Sequence, residues 1–85
     1  MTPTAAEIQD WIVDRVSRLT DVPPEEVDVR ASLTRHGLDS VALISLASDL
    51  EKWVGYRFRE NPLDAYPTIE ALSQFLAAKV ADRHS

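Results

Sequence analysis

The stretch RHGLDSVALISLASDLE, residues 35–51, contains the loop-to-helix transition on which the fold depends. Asp39 and Ser40 are both favoured N-cap residues, and a periodic apolar segment follows them. We predict a helix that begins at about Asp39 or Ser40, runs to Val54 and ends at Gly55, a residue type common just past a helix C-terminus. Ser40 is then either a helix cap or an exposed hydroxyl to which another group can be attached.

The apolar residues of this helix fall on two faces when they are projected at 100° per residue. The inward face is predicted to consist of Leu43, Leu46, Ala47, Leu50 and Val54, with Trp53 at its margin. The outward face is predicted to carry Ser40, Val41, Ile44, Ser45, Ser48 and Lys52. A helix that only packs against a core does not need Val41 and Ile44 there. They indicate either a contact surface beside Ser40 or partial burial against the preceding loop.

Two more long helices are predicted, one on each side of this one. Near the N-terminus, TAAE forms a Thr-x-x-Glu capping box that begins at Thr4. The apolar stripe that follows consists of Ile8, Trp11, Ile12, Val16 and Leu19. Near the C-terminus, Thr68 is a good N-cap for the last helix. Its stripe consists of Ile69, Leu72, Phe75, Leu76 and Val80.

The connection between the first two long helices spans residues 20–37, which is too long to lack structure in a domain of this size. Its apolar residues are spaced so that they can lie across the core as a draped loop; they are Val22, Val27, Val29 and Leu33. We predict a single helical turn in PPEEV, with Pro24 near its first position, and a break in the chain at Gly37. A further short helix fits between Pro62 and Pro67.

These elements predict an all-α fold in which residues 1–85 form a single domain. The expected architecture is a four-helix bundle with three main helices, a short third helix, and a long loop between helices 1 and 2. No apolar alternation is long enough to indicate a β-strand. Because the chain has no cysteine, disulfides cannot stabilise it, and packed apolar faces must do so.

The composition argues against several classes of function. The net charge is −5, whereas nucleic acids and anionic membranes bind clusters of Lys and Arg. No wholly apolar run is longer than four residues, the length of Val41–Ile44, which is far too short to span a membrane. No basic segment followed by an apolar one stands at the N-terminus, so we expect no signal peptide and a cytoplasmic location. Thiolate metal sites are excluded, and we predict no metal site.

Self-contained serine catalysis fits the sequence poorly. There is no Gly-x-Ser-x-Gly nucleophile elbow around Ser40. The only histidines are His36, in the loop just upstream, and His84, near the C-terminus. A helical domain of 85 residues also offers little room for a substrate cleft. A serine hydrolase is therefore the weakest of the alternatives, and we expect that the protein is not an enzyme.

The segment HGLDSVALISLASDLE resembles the Gly-x-Asp-Ser-Leu signature of acyl carrier proteins, which stands at the start of the second helix of a four-helix bundle. The order of elements is similar over nearly the whole chain: a long helix, a long loop, the signature helix and a short helix. The segment YPTIEALSQFLA is then similar to the last helix of that family. Val41 departs from the signature, where Leu or Met is usual.

The resemblance implies that Ser40 carries phosphopantetheine, which a phosphopantetheinyl transferase takes from coenzyme A and joins to the serine through a phosphodiester. The terminal thiol of this group would hold an acyl chain as a thioester, so a chain without cysteine could still take part in thiol chemistry. Asp39 would support the site. The protein would then be a monomeric shuttle that presents acyl groups to other proteins.

The resemblance also implies that partner enzymes bind the outward face of the second helix. The residues assigned to this docking surface are Val41, Ile44, Ser45, Ser48, Arg57 and Phe58. Carriers of dissociated fatty acid synthesis have a strongly acidic second helix, whereas this one combines Asp39, Asp49 and Glu51 with Lys52. We therefore expect partner choice to depend more on apolar shape than on charge. The basic pair Arg57 and Arg59 points in the same direction, and the alternative is that the two residues belong only to a solvated loop.

Two features bear on the pathway. GLDS does not match the Gly-Gly-x-Ser pattern usual in peptidyl carriers, and DLEKWVGYRF is most similar to carriers of polyketide and related lipid pathways. DLE-x-W-x-G is similar to carriers that fatty-acyl-AMP ligases load, which would place Trp53 and Tyr56 beside the docking surface. The alternative is that Trp53, at the edge of the helix stripe, is a core residue. We expect a polyketide, lipid or mixed peptide pathway, in which an acyl-loading enzyme and a ketosynthase or other downstream enzyme are the partners.

One alternative comes from a different class of protein. The chain could be a small helical interaction module with no prosthetic group, in which Ser40 serves only as a helix cap. The two hypotheses differ in whether Ser40 gains a covalent group.

Overall fold

The computed structural model describes residues 3–58 and 65–84, with side chains described as far as residue 81. Three long helices are present within these ranges: α1 (Ala5–Thr20), α2 (Ser40–Val54) and α3 (Ile69–His84). Two short 3₁₀ turns, Pro24–Glu26 and Leu33–His36, lie in the connection between α1 and α2. The described residues form no strand apart from one isolated bridge between Ser32 and Thr68. The fold is therefore all-helical, as predicted.

Helix α1 begins and ends with defined caps. The Thr4 hydroxyl accepts a hydrogen bond from the Glu7 N–H at 3.1 Å, and the Glu7 carboxylate accepts one from the Thr4 N–H at 3.0 Å. This reciprocal pair confirms the predicted capping box. At the other end Asp21 adopts the left-handed conformation, with φ 58°. The Val22 N–H then returns to the Ser17 carbonyl at 3.2 Å, which is the Schellman arrangement.

This C-terminal turn explains why Leu19, a predicted core residue of α1, is exposed. Ile8, Ile12 and Val16 are fully buried, as the apolar stripe predicts, but Leu19 is 48% exposed. The Schellman turn brings Val22, rather than Leu19, against the core. Periodicity alone does not reveal this, because Leu19 has the angular position of a core residue but stands in the last turn.

The long connection is draped over the core as predicted. Val27 and Leu33 are buried, while Val22 and Val29 are partly buried against the same cluster. Pro24 is the first residue of the first 3₁₀ turn, in agreement with the turn predicted for PPEEV. The second 3₁₀ turn and the burial of Leu38 were not anticipated. Backbone hydrogen bonds fix the connection to the start of α3, including one of 2.9 Å from the Leu33 N–H to the Pro67 carbonyl.

Helix α3 completes the core from the other side. The Thr68 hydroxyl accepts a hydrogen bond from the Ala71 N–H at 3.1 Å, so Thr68 acts as the predicted N-cap. Ser73 is buried without being apolar, and its hydroxyl donates to the Ile69 carbonyl at 2.7 Å. Phe75 is only partly buried. The core residues that α3 contributes are Ile69, Leu72, Leu76 and Val80.

The predicted short helix between Pro62 and Pro67 lies mostly outside the described residues, so a count of four helices stays a prediction. Among the residues that are described, no helix is long and apolar enough to cross a membrane.

Candidate functional site

Ser40 is the first residue of helix α2, and Asp39 is its N-cap. An Asp39 carboxylate oxygen accepts a hydrogen bond from the Ala42 N–H at 2.8 Å, while the Asp39 carbonyl accepts one from the Leu43 N–H at 3.0 Å. The capping position is therefore occupied by Asp39. Ser40 is exposed, and its hydroxyl makes no hydrogen bond to the described part of the chain. The interpretation of Ser40 as only a helix cap is wrong, since Asp39 caps the helix.

The position of Ser40 suits a phosphate ester. The first-turn N–H groups of a helix have no partner within the helix, and the helix dipole favours negative charge at this end. Gly37, at φ 83°, lets the chain turn sharply just before the helix, and Leu38 is buried against the core. Leu38 therefore anchors the approach to α2, and the next two residues lie at the surface. A hydroxyl so exposed can accept a bulky group without displacing a packed side chain.

The two faces of α2 are separated as predicted. Leu46, Leu50 and Val54 are buried, and Leu43 is partly buried against the same core. Gly55 ends the helix at φ 74°. Val41 is 75% exposed and Ile44 is 69% exposed, so the alternative of burial against the loop is wrong. The outward residues are all exposed: Ser40, Val41, Ile44, Ser45, Ser48 and Lys52.

Two of the carboxylates on α2 are engaged within the protein. Asp49 forms an ion pair with Arg15 of α1, and both side chains are about one-third exposed. A Glu51 carboxylate oxygen accepts a hydrogen bond from the Phe58 N–H at 3.0 Å. Lys52 makes no ion pair with the residues that the structure describes. The outward face of α2 is therefore apolar and weakly charged. This is consistent with partner choice that depends more on apolar shape than on charge.

Trp53 is not a core residue. Its ring stacks on that of Trp11 in α1, with centroids 5.5 Å apart and an angle of 18° between the planes. Trp53 keeps 44% exposure in this arrangement. The Arg15 guanidinium lies 4.7 Å from the centre of the Trp11 ring, so it contacts the indole as well as Asp49. The contact between α1 and α2 is thus partly aromatic and partly ionic.

The predicted docking residues after α2 differ in their surroundings. Arg57 is exposed. Phe58 is partly buried, and its ring meets Tyr56 edge-on at 5.9 Å between centroids. Tyr56 also lies beside Phe75 of α3, at 6.2 Å. Arg59 lies outside the described residues.

The chemistry available around Ser40 is limited. The His36 Nε2 lies 3.0 Å from the Asp28 carbonyl oxygen, a contact in which the ring nitrogen is the donor. That contact leaves the ring held to the loop and not to the serine. Within residues 3–58 and 65–81 there is no group of His, Asp and Glu side chains able to hold a metal ion. This exposed serine therefore has the features of an acceptor for a group that another protein transfers to it, and these residues fit a covalent phosphopantetheine.

Comparison with known proteins agrees with this chemistry. Residues 10–76 match the family model described as a phosphopantetheine attachment site. The chain belongs to this family. As a carrier protein of this family, it bears a covalently attached phosphopantetheine group.

Similar carrier proteins support the assignment along the whole fold. The chain is 32% identical to the acyl carrier protein TtuC of Teredinibacter turnerae over 78 residues, covering 92% of this chain and 90% of that one. It is also 25% identical over 80 residues to a phenolphthiocerol/phthiocerol polyketide synthase subunit of Mycobacterium tuberculosis. That match covers 94% of this chain but 4% of the synthase polypeptide, so the carrier protein corresponds to one small part of it.

Solved structures give the same result. A free-standing peptidyl carrier protein from a secondary metabolic pathway of Acinetobacter baumannii superimposes with a TM-score of 0.81 at 31% identity, covering 91% of this chain and 96% of that one. An Anabaena acyl carrier protein with a variant phosphopantetheinylation-site sequence superimposes with a TM-score of 0.84 at 30% identity, covering 94% and 92%. The similarity therefore extends to both acyl and peptidyl carriers.

Three features of the structure are not apparent from local sequence patterns. The burial of Leu38 had no signal beyond its being apolar, and the Arg15–Asp49 ion pair joins residues 34 positions apart. The exposure of Leu19 could be anticipated only by recognising the Schellman turn after α1. Each depends on how separate segments meet in space.

Proposed function

We propose that Ser40 is the residue of this carrier protein to which phosphopantetheine is attached. The observation that carries the proposal is the division of roles between neighbours: Asp39 caps α2, and Ser40 keeps an exposed hydroxyl. Ser45 and Ser48 are exposed on the same helix, but they lie in its interior turns and lack the unpartnered N–H groups of the helix start. Asp39 supports the site by fixing where the helix begins.

The attachment is a transfer that a phosphopantetheinyl transferase catalyses. The Ser40 oxygen forms a bond to the β-phosphorus of coenzyme A, the bond from that phosphorus to the departing phosphate oxygen breaks, and 3′,5′-ADP leaves. The serine proton passes to a base of the transferase or to solvent. The attached group supplies a terminal thiol that holds acyl chains as thioesters. Catalysis resides in the partners, and the carrier protein itself is not an enzyme.

The partner enzymes are proposed to dock on the outward face of α2. Val41 and Ile44 are large apolar side chains left in water beside Ser40, and burying them at an interface removes this apolar area from water. Ser45 and Ser48 are small and exposed, so they let a partner approach the helix closely. Arg57 and Phe58 are proposed to border this surface, with Arg57 at its exposed edge.

The carrier protein is proposed to act as a monomer in a polyketide, lipid or mixed peptide pathway. The proposed pathway rests on the similarity of the chain to part of a polyketide synthase and to a free-standing carrier of a secondary metabolic pathway. A fatty-acyl-AMP ligase is the proposed loading enzyme, because DLEKWVG is similar to the corresponding stretch of carriers that such ligases load. A ketosynthase or another downstream enzyme would receive the acyl group. A cytoplasmic location stays a prediction.

Intact mass measurement tests the attachment residue. The wild-type apo-protein is incubated with coenzyme A, Mg²⁺ and a broad-specificity phosphopantetheinyl transferase, and we expect a gain of one phosphopantetheine. Ser40→Ala should gain nothing, whereas the matched controls Ser45→Ala and Ser48→Ala should gain the full group. Modification of a folded Ser40→Ala variant would show that the attachment residue is wrong.

A further inference from the structure

Lys52 lies on the outward face of α2, in line with its exposed apolar residues. At about 100° per residue, Ser48 and Lys52 project within about 20° of Val41, so the three residues form one line along the helix. All three are exposed. The outward residues between Ile44 and Lys52 are the small side chains of Ser45 and Ser48. The Lys52 ammonium is therefore accessible to a partner that approaches this face.

Both carboxylates within α2 are engaged away from this line. Asp49 pairs with Arg15 of α1. Glu51 accepts a hydrogen bond from the Phe58 N–H. Lys52 forms no ion pair with the residues that the structure describes. The outward face thus carries one positive charge, in a chain whose net charge is −5.

Lys52 is within reach of an enzyme that docks on the apolar part of this face. Ile44 and Lys52 are eight residues apart, which is roughly 12 Å along the helix axis at 1.5 Å per residue. The Cα–Cβ bonds of a helix tilt towards its N-terminus, so the stem of Lys52 starts in the direction of Ile44. An interface of standard size covers roughly 800 Å² of each partner, a patch roughly 30 Å across. Such an interface, centred on Val41 and Ile44, includes Lys52.

Lys52 also suits the last turn of α2, where the helix dipole favours a cation. That role involves no partner, so it predicts an effect of substitution on unfolding alone. A role in docking predicts something different, namely an effect on the KM of an enzyme whose sign depends on the charge of that enzyme.

We propose that Lys52 is a specificity-determining residue of the docking surface: it favours enzymes that place a carboxylate beside an apolar patch and disfavours enzymes whose docking site is basic. The proposal rests on the proposed function of Ser40. The physical reason is that opposite charges across an interface attract, while like charges held close together reject a partner. A carrier with a strongly acidic second helix calls for the opposite charge on its enzymes. Lys52 thus separates this carrier protein from the enzymes of dissociated fatty acid synthesis.

The phosphopantetheinyl transferase of a dissociated fatty acid synthase is the probe, because its own carrier has an acidic second helix. Lys52→Gln removes the charge, and Lys52→Glu reverses it. One exposed charge pair changes an equilibrium constant by a factor of roughly 1.5 to 5. We expect a KM for the carrier protein roughly twofold below wild type for Lys52→Gln and roughly fivefold below for Lys52→Glu, with kcat unchanged. Both differences should shrink as salt is added.

Lys79→Glu is the matched control, because it makes the same change in net charge at an exposed position of α3. It should keep the wild-type KM. An equal fall in KM for Lys52→Glu and Lys79→Glu would show that net charge, and not the docking surface, is responsible, and the proposal would be wrong. Thermal unfolding verifies that each variant is folded at the assay temperature.

A broad-specificity transferase separates failure of this proposal from failure of the proposed function. If it modifies wild type and Lys52→Glu at Ser40, but the fatty-acid-synthase transferase treats the two proteins alike or modifies neither, then Lys52 does not select the enzyme and the attachment residue stands. If the broad-specificity transferase modifies neither protein, the proposed function fails first.

Discussion

Asp39 caps helix α2 through a 2.8 Å hydrogen bond from the Ala42 N–H to its carboxylate, and the adjacent Ser40 is thereby left with an exposed hydroxyl. Asp and Ser are both favoured at a helix N-cap, but in this chain Asp39 is the cap and Ser40 is not. The carboxylate stabilises the helix start, and the hydroxyl is available for modification. The attachment of phosphopantetheine that we propose for Ser40 depends on this division between the two residues.

Removing the Asp39 side chain should destabilise the protein. Asp39→Ala loses the cap, and we expect the free energy of unfolding to fall by about 1 kcal/mol. Asp39→Asn keeps an oxygen that can accept from the Ala42 N–H, so most of the stability should remain. Urea denaturation of the three proteins measures this. Equal stability of Asp39→Ala and wild type would mean that the cap contributes nothing.

Truncations on opposite faces of α2 should have very different effects on stability. Leu50 is fully buried, so Leu50→Ala should lower the free energy of unfolding by about 2–5 kcal/mol. Ile44 lies on the outward face, so Ile44→Ala should change it by less than about 0.5 kcal/mol. Chemical denaturation of the two variants is the measurement. A large loss for Ile44→Ala would contradict the assignment of the faces.

Charge on the outward face should impair docking without unfolding the helix. Val41→Asp places a carboxylate in the first turn of α2, where the helix dipole favours it, so stability should change little. At an apolar interface the same carboxylate would lose water without gaining a partner. We expect the transferase KM to rise by roughly tenfold or more. A matched Ala78→Asp change, at an exposed position of α3, should leave KM unchanged.

The ion pair between α1 and α2 should contribute modestly to stability. Arg15 and Asp49 are each about one-third exposed, so water and salt weaken their attraction. A double-mutant cycle with Arg15→Ala and Asp49→Ala should give a coupling free energy of about 1 kcal/mol or less, falling as salt is added. Arg15→Ala alone should cost more than Asp49→Ala, because it also removes the contact with Trp11. The opposite order would mean that the aromatic contact is unimportant.

Much of the fold follows from local patterns in the sequence. The Thr4 capping box, the Gly55 stop and the two faces of α2 were all predicted, because each depends on residues within one or two turns. The same locality gave Val41 and Ile44 as outward residues. Features that depend only on a few neighbouring residues can therefore be predicted from the sequence.

The remainder depends on contacts between distant segments. Leu19 has the periodicity of a core residue, but the turn after α1 brings Val22 to the core in its place. The stacking of Trp11 on Trp53 joins two helices across the whole loop, so no local pattern predicts it. The choice between Asp39 and Ser40 as cap is also a matter of geometry, since both types suit that position.

Mapping the attached group to a single residue tests the central claim most directly. Trypsin cleaves after Arg35 and Lys52, and the peptide of residues 36–52 contains all three serines of α2: Ser40, Ser45 and Ser48. Fragmentation of this peptide from the modified protein distinguishes them. Phosphopantetheine on Ser40 alone is the predicted result. Its presence on Ser45 or Ser48, or its absence from this peptide in a protein that has gained the group, would contradict the account.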